Sequence, residues 1–233
     1  PPCAPACGAC EECVEGACVA IGAPRAVARM RSGWYHVLAI DGDDALYVWG
    51  ENDNGQLGPG DREDRLVATP VPGRWIAADG GSRHSCAVYE DGTLRCMGAN
   101  VHGQLGTGDL DDREVPTEVA ADEARDRDNP WVDVACGGLH TCGLKQDSTV
   151  WCFGSSVAGQ LGLGPPTDDV LVPTRVGGDT PPLWRAVSAQ TRHTCAILAA
   201  DESLHCWGDN SNGQIGQGDG DRADRHKIGR AHV

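Results

Sequence analysis

A chain of 233 residues with 34 acidic against 19 basic side chains carries a net charge of −15, which argues against a nucleic-acid partner, because such binding needs a basic face to displace counterions. No apolar run approaches the ~18 residues of a membrane span. Thirty-two glycines, fourteen prolines and a single phenylalanine describe an all-β chain of short strands and tight turns, with Trp, Leu, Val and Ile as its core.

Residues 1–22 form a separate region. Cys3, Cys7, Cys10, Cys13 and Cys18 stand among Pro and Gly with too few apolar side chains for a core, so crosslinks or a metal must hold it. Cys7-x-x-Cys10-x-x-Cys13 superficially matches an iron–sulfur run, but the fourth ligand followed by Pro is missing and Cys18 falls at another interval. A disulfide-rich module or stalk is expected. Five cysteines are odd in number and the chain starts at Pro1 without Met, so an upstream part supplying a sixth is expected.

From residue 23 one unit recurs, over 23–73, 74–129, 130–182 and 183–227. Each copy holds a block that opens on Gly50, Gly98, Gly154 or Gly208 and closes on Gly-Gln-Leu/Ile-Gly; the opening glycines are 48, 56 and 54 residues apart. Trp75, Trp131 and Trp184 each precede Cys86, Cys142 and Cys195 by 11 residues, and His84, His140 and His193 precede those cysteines by two. Cys96, Cys152 and Cys206 stand two residues before the block glycines. The first copy keeps His36 and Gly50 but has Val27 at the Trp position and Leu38 and Val48 at the two cysteine positions.

The cysteines are thus present or absent together, as a bonded pair requires. Period-two alternation puts Cys86, Val88, Leu94 and Cys96 on one face of a hairpin turning at Asp91-Gly92, with Cys86 opposite Cys96. The same symmetry pairs Cys142 with Cys152, although Ser148 replaces the turn glycine, and Cys195 with Cys206 across a loop one residue longer. Directly opposed antiparallel residues lie within disulfide range. Crosslinks recurring in register point to an oxidising location: extracellular, cell surface or periplasm.

Other candidates have plain structural readings. Cys136 stands where other copies have Gly80 and Ala189, as a small buried thiol filling a slot. His36, His84, His140 and His193 belong to different units, so a hydrogen bond within each unit is expected rather than a metal, which needs convergence on one ion. Asp41 to Asp44, Asp109 to Asp112 and Asp219 to Asp221 lack an EF-type loop and read as solvated turns. Glu90 to Thr93 and Asp147 to Trp151 faintly suggest the Asp-box hairpin of sialidases, but a tyrosine nucleophile would have to come from Tyr35, Tyr47 or Tyr89, the last inside a repeated hairpin. No Gly-x-Ser-x-Gly elbow, phosphate loop or zinc-protease pair occurs, so neither an enzyme nor a cofactor is expected.

The block Gly-x-Asn-x-x-Gly-Gln-Leu/Ile-Gly-x-Gly-Asp at 50–61, 98–109 and 208–219, with the His and Cys-Ala-Val or Cys-Gly-Leu before it, resembles the repeat of the regulator of chromosome condensation family over residues 24 to about 225. The resemblance implies a seven-bladed β-propeller of four-stranded blades. Four copies then make an open arc of it, a monomer when complete. Copy three departs with Ser156 for Asn and Pro165 for Asp, so a reshaped turn is expected there. Residues 228–233, Ile-Gly-Arg-Ala-His-Val, are what one frame of a common sequencing adapter encodes, and are expected not to be protein sequence.

The functional expectation is a non-enzymatic extracellular scaffold that binds a protein or glycan through the variable segments between each Gly-Gln-Leu-Gly and the next Trp. Alternatives implied by the resemblance are a secreted inhibitor of the β-lactamase-inhibitor kind and a guanine-nucleotide exchange factor for a small nuclear GTPase.

Overall fold

The computed structural model describes residues 11–14, 17–20, 26–120, 128–165, 168–178, 181–216, 218 and 225–231. A hairpin of β1 (Glu11–Val14) and β2 (Ala17–Ala20) sets Cys13 opposite Cys18 along the backbone. Cys3, Cys7, Cys10 and the acidic cluster 219–221 lie outside the described residues.

Four antiparallel sheets follow, each a four-stranded meander in chain order. Blade 1 holds β3 (Val27–Ser32), β4 (His36–Asp41), β5 (Leu46–Gly50) and β6 (Arg65–Val71). Blade 2 holds β7 (Trp75–Gly80), β8 (His84–Tyr89), β9 (Leu94–Gly98) and β10 (Arg113–Glu118). Blade 3 holds β11 (Trp131–Cys136), β12 (His140–Lys145), β13 (Val150–Gly154) and β14 (Val170–Arg175). Blade 4 holds β15 (Trp184–Gln190), β16 (His193–Leu198), β17 (Leu204–Gly208) and β18 (Arg225–Arg230). The first strands of successive blades pack together along the inside of the arc, and β6, β10 and β14 lie outermost. This is an arc of a β-propeller.

The central hairpins place the cysteines as their alternation dictates. Disulfides join Cys86 to Cys96, Cys142 to Cys152 and Cys195 to Cys206, each across directly paired residues with Cα atoms 4.1 Å apart. In blade 1 the same register sets Leu38 opposite Val48 and Ile40 opposite Leu46, all buried. Ser148 takes the turn with φ of 69°, beside 81° at Gly92, so the conformation is kept without the glycine. That turn also holds the next blade: Trp75 N–H donates to Asp44 O at 2.8 Å, Trp131 N–H to Gly92 O at 3.0 Å and Trp184 N–H to Ser148 O at 2.7 Å. The Trp therefore opens each new inner strand, hydrogen-bonded to the preceding hairpin.

The core is a series of layers between blades. Leu38, Ile40, Leu57 and Trp75 fill the first layer, Val88, Leu105, Trp131 and Phe153 the second, and Leu144, Leu161, Trp184 and Trp207 the third. The block leucines Leu57, Leu105 and Leu161 are fully buried in them. Gly106, at φ of 65°, has no room for a side chain, since a Cβ there would lie 2.8 Å from the Phe153 ring of the next blade. Copy three keeps the turn despite Ser156: Gly154, Gly159, Gly162 and Gly164 have φ of 101°, 78°, 68° and 78°, against 107°, 73°, 65° and 85° in copy two. The glycine path is kept through Gly164, although Ser156 replaces the Asn whose side chain accepts from Leu105 N–H in copy two.

Candidate binding face

The loops between first and second strands gather on one end of the arc. Trp34 N–H donates to Gly81 O at 3.1 Å, Ser82 N–H to Gly138 O at 3.3 Å and Gly138 N–H to Thr191 O at 3.0 Å, so four loops from four blades are stitched into one surface. Each loop is tied at its end to the following block: Glu51 N–H bonds Tyr35 O, Ala99 N–H bonds Arg83 O, Ser155 N–H bonds Leu139 O and Asp209 N–H bonds Arg192 O, all within 2.8–2.9 Å. The side chains left outside are Trp34 (56% exposed), Tyr35 (64%), Arg83, Leu139 and Arg192.

The repeated histidines lie beneath this face and bond between blades. His84 Nε2 lies 3.0 Å from Thr141 Oγ1, and His140 Nε2 2.9 Å from Thr194 Oγ1. Both threonine hydroxyls donate to block carbonyls, Gln104 O and Gln160 O, at 2.8 Å, so each must accept from the histidine, which fixes the Nε2–H tautomer. His36 makes the equivalent contact with Ser85 Oγ at 2.8 Å. The expectation of a bond within each unit is thus corrected. Blade-to-blade packing sets a hydroxyl of the next unit against each ring, Ser85, Thr141 and Thr194 in turn.

Burial holds His36 at about 4 and His84 and His140 at about 3, with neighbouring histidines adding to the effect for the last two. Protonation would bury a second N–H at Nδ1, which faces no hydrogen-bond partner among the described residues. His193, half-buried, is lowered by burial in the same direction.

His84, Cys86 and Cys136 offer atoms within 4.8 Å of one another. They do not make a three-ligand metal set, because Cys86 is consumed in its disulfide. Cys136 is a buried free thiol on the first strand of blade 3, its N–H donating to Asp79 Oδ2 at 2.8 Å. Burial, and then the Asp79 charge, push its thiol well above the ordinary range. Asp79 itself is raised to about 6 by burial.

The acidic turns hold loops together. Asp112 Oδ1 accepts from Asn100 N–H at 2.9 Å, Asp109 Oδ1 from Asp111 N–H at 3.0 Å, and Asp41 Oδ1 from Asp43 and Ala45 N–H at 2.9 Å. Every residue singled out by repetition, from the cysteines to Gly208, belongs to a blade or a blade interface and none reaches the face. The segments between each Gly-Gln-Leu-Gly and the next Trp, expected to be binding loops, supply the outermost strands β6, β10 and β14 together with the turns that lead into them. Trp34, Tyr35, Arg83, Leu139 and Arg192 were missed. Their signal was variability: they occupy the two positions before a constant His, after a glycine pair in copies two and three.

The geometry defines a propeller arc whose recurring residues seal its blades and whose non-recurring ones form an open loop face. Regulator of chromosome condensation (RCC1) repeats match at 43–88, 91–144 and 147–197, and a second form of the repeat at 27–56, 76–104, 131–160 and 184–214. The chain belongs to the RCC1-repeat family. It is 35% identical over 198 residues to the ultraviolet-B receptor UVR8 of Arabidopsis thaliana, covering 82% of this chain and 43% of the receptor. It is 31% identical over 210 residues to the probable E3 ubiquitin-protein ligase HERC3 of Homo sapiens, covering 82% of this chain and 18% of the ligase. The fold matches yeast RCC1 (Prp20), solved bound to Kap60, with a TM-score of 0.78 at 21% identity, over 93% of this chain and 51% of that one. Human WBSCR16 matches with a TM-score of 0.75 at 23% identity, over 93% and 56%.

Proposed function

We propose that this chain is a non-enzymatic scaffold that binds a protein through the stitched loop face, and that it works outside the reducing cell interior. The observation that carries the binding reading is the division of labour in the repeat. The recurring His, Trp and block Leu side chains are consumed within and between blades, while exposed aromatic, aliphatic and cationic side chains collect on loops held rigidly by backbone bonds. Three blades carrying hairpin disulfides support the oxidising location.

The test is capture of proteins from native extracellular fluid by the immobilised, unreduced protein and by a Trp34→Ala/Tyr35→Ala variant. A partner held by the parent and lost by the variant, with retention in a Leu66→Ala control on the outer strand β6, is the expected result. Equal capture by all three sinks the assignment of the face. For location, maleimide mass-tagging of natively produced protein should leave Cys86, Cys96, Cys142, Cys152, Cys195 and Cys206 unlabelled.

A further inference from the structure

We infer that the ligand segment on this face is an acidic peptide stretch of the partner protein, with carboxylates set beside apolar side chains; this rests on the reading of the face given above. The chain is strongly acidic, and six of its seventeen arginines are held in ion pairs among the described residues. Arg62 pairs with Asp112 and Glu114, Arg65 with Asp61, Arg74 with Asp44 and Glu90, Arg95 with Asp91, Arg113 with Asp109 and Arg185 with Glu202. Arg83 and Arg192 are exposed on the face and neither lies within ion-pair distance of a carboxylate among the described residues; Arg192 feels Asp209 only at longer range.

Arg83 and Arg192 put two exposed guanidinium groups on one face of a molecule of net charge −15. Arg presents a planar fork that suits a carboxylate bidentately. Around them, Trp34, Tyr35 and Leu139 offer apolar area for the side chains between those carboxylates. Length also selects the ligand. Glu51 and Asp209 are backbone-bonded to the loop ends at Tyr35 and Arg192, so a long polyanion such as a sulfated glycan or nucleic acid would run onto repelling charge, whereas a short segment can end inside the patch. The stitched loops hold this surface without prior ordering, which favours binding of an extended segment.

The experiment is fluorescence anisotropy of the unreduced protein with labelled ten-residue peptides in which Asp and Glu alternate with Leu and Phe, against the same peptides carrying Asn and Gln. The acidic form should bind at least about tenfold tighter, weakening as salt rises. Arg83→Gln and Arg192→Gln should each weaken it several-fold, whereas Arg185→Gln, at an ion pair away from the face, should not. Equal binding of acidic and amide peptides, or equal effects of the face and control variants, overturns the inference. So does tighter, Arg83-dependent binding of a heparin hexasaccharide or of anionic vesicles. Amide peptides that bind with full dependence on Trp34 refute the charge assignment while leaving the scaffold face standing. Loss of all peptide binding together with unaltered partner capture by Trp34→Ala/Tyr35→Ala refutes both.

Discussion

His84 of blade 2 donates through Nε2 to Thr141 Oγ1 of blade 3 at 3.0 Å, and the same hydroxyl donates to Gln104 O in the block of blade 2. One threonine hydroxyl thus ties two separate parts of the preceding blade. Thr141→Val keeps the shape and removes the hydroxyl, leaving a buried N–H and a buried carbonyl unpaired. We expect a loss of about 1–3 kcal/mol in urea unfolding, with Thr141→Ser restoring most of it. A valine variant as stable as the parent would remove the hydroxyl relay as a source of cohesion.

Acid should weaken the protein through the buried histidines. Unfolded histidine titrates near 6.5, whereas folded His36, His84 and His140 stay neutral down to about 4, 3 and 3. Above pH 6.5 neither state binds these protons and the full stability is present. Below it the unfolded chain takes them up and the native chain does not, so stability falls as pH drops toward 4, by up to about 1.4 kcal/mol per pH unit for each histidine. Asp79 opposes this: raised to about 6, it binds its proton in the folded state first, and its contribution grows as pH falls from 6 toward the unfolded value of 3.8. Three groups outweigh one. Denaturant midpoints between pH 7 and 4.5 should fall steadily, and a flat profile contradicts the burial of the neutral rings.

Blade 1 shows what the crosslinks replace. Leu38 and Val48 occupy the paired positions that hold Cys86 and Cys96 in blade 2. Cys86→Leu with Cys96→Val should preserve the blade while losing up to about 2–3 kcal/mol, the chain-entropy value for so short a loop. Cys86→Ser alone should be worse, since it buries a hydroxyl and frees the Cys96 thiol. Urea midpoints of the two variants give the order.

Close approach of consecutive blades makes Gly106 intolerant of a side chain. Gly106→Ala meets both a positive φ and the Phe153 ring, and should cost about 2–4 kcal/mol. Combining it with Phe153→Leu should relieve the clash but not the backbone strain, so the pair is expected to lose less than the sum of the two single changes. Additive losses in thermal unfolding would place the whole cost in the backbone.

Cys136 should be inert in the native protein. Its thiol is buried and held protonated, so a thiol reagent should label it only on unfolding. Cys136→Ala, the residue found as Ala189 in blade 4, should change stability by no more than about 1 kcal/mol. Rapid labelling of native protein at neutral pH would contradict its placement.

The alternation about Asp91 and the joint presence or absence of paired cysteines were enough to pair Cys86 with Cys96 and Leu38 with Val48, because strand periodicity and hairpin symmetry are local rules the chain carries in itself. Recurrence likewise marked one blade per unit. What the histidines bond to, why Gly106 must be glycine and how the loops bearing Trp34, Arg83 and Arg192 are linked blade to blade were settled only when blades packed side by side. Those contacts join residues about fifty positions apart, and their partners are fixed by the rotation between sheets rather than by any spacing along the chain.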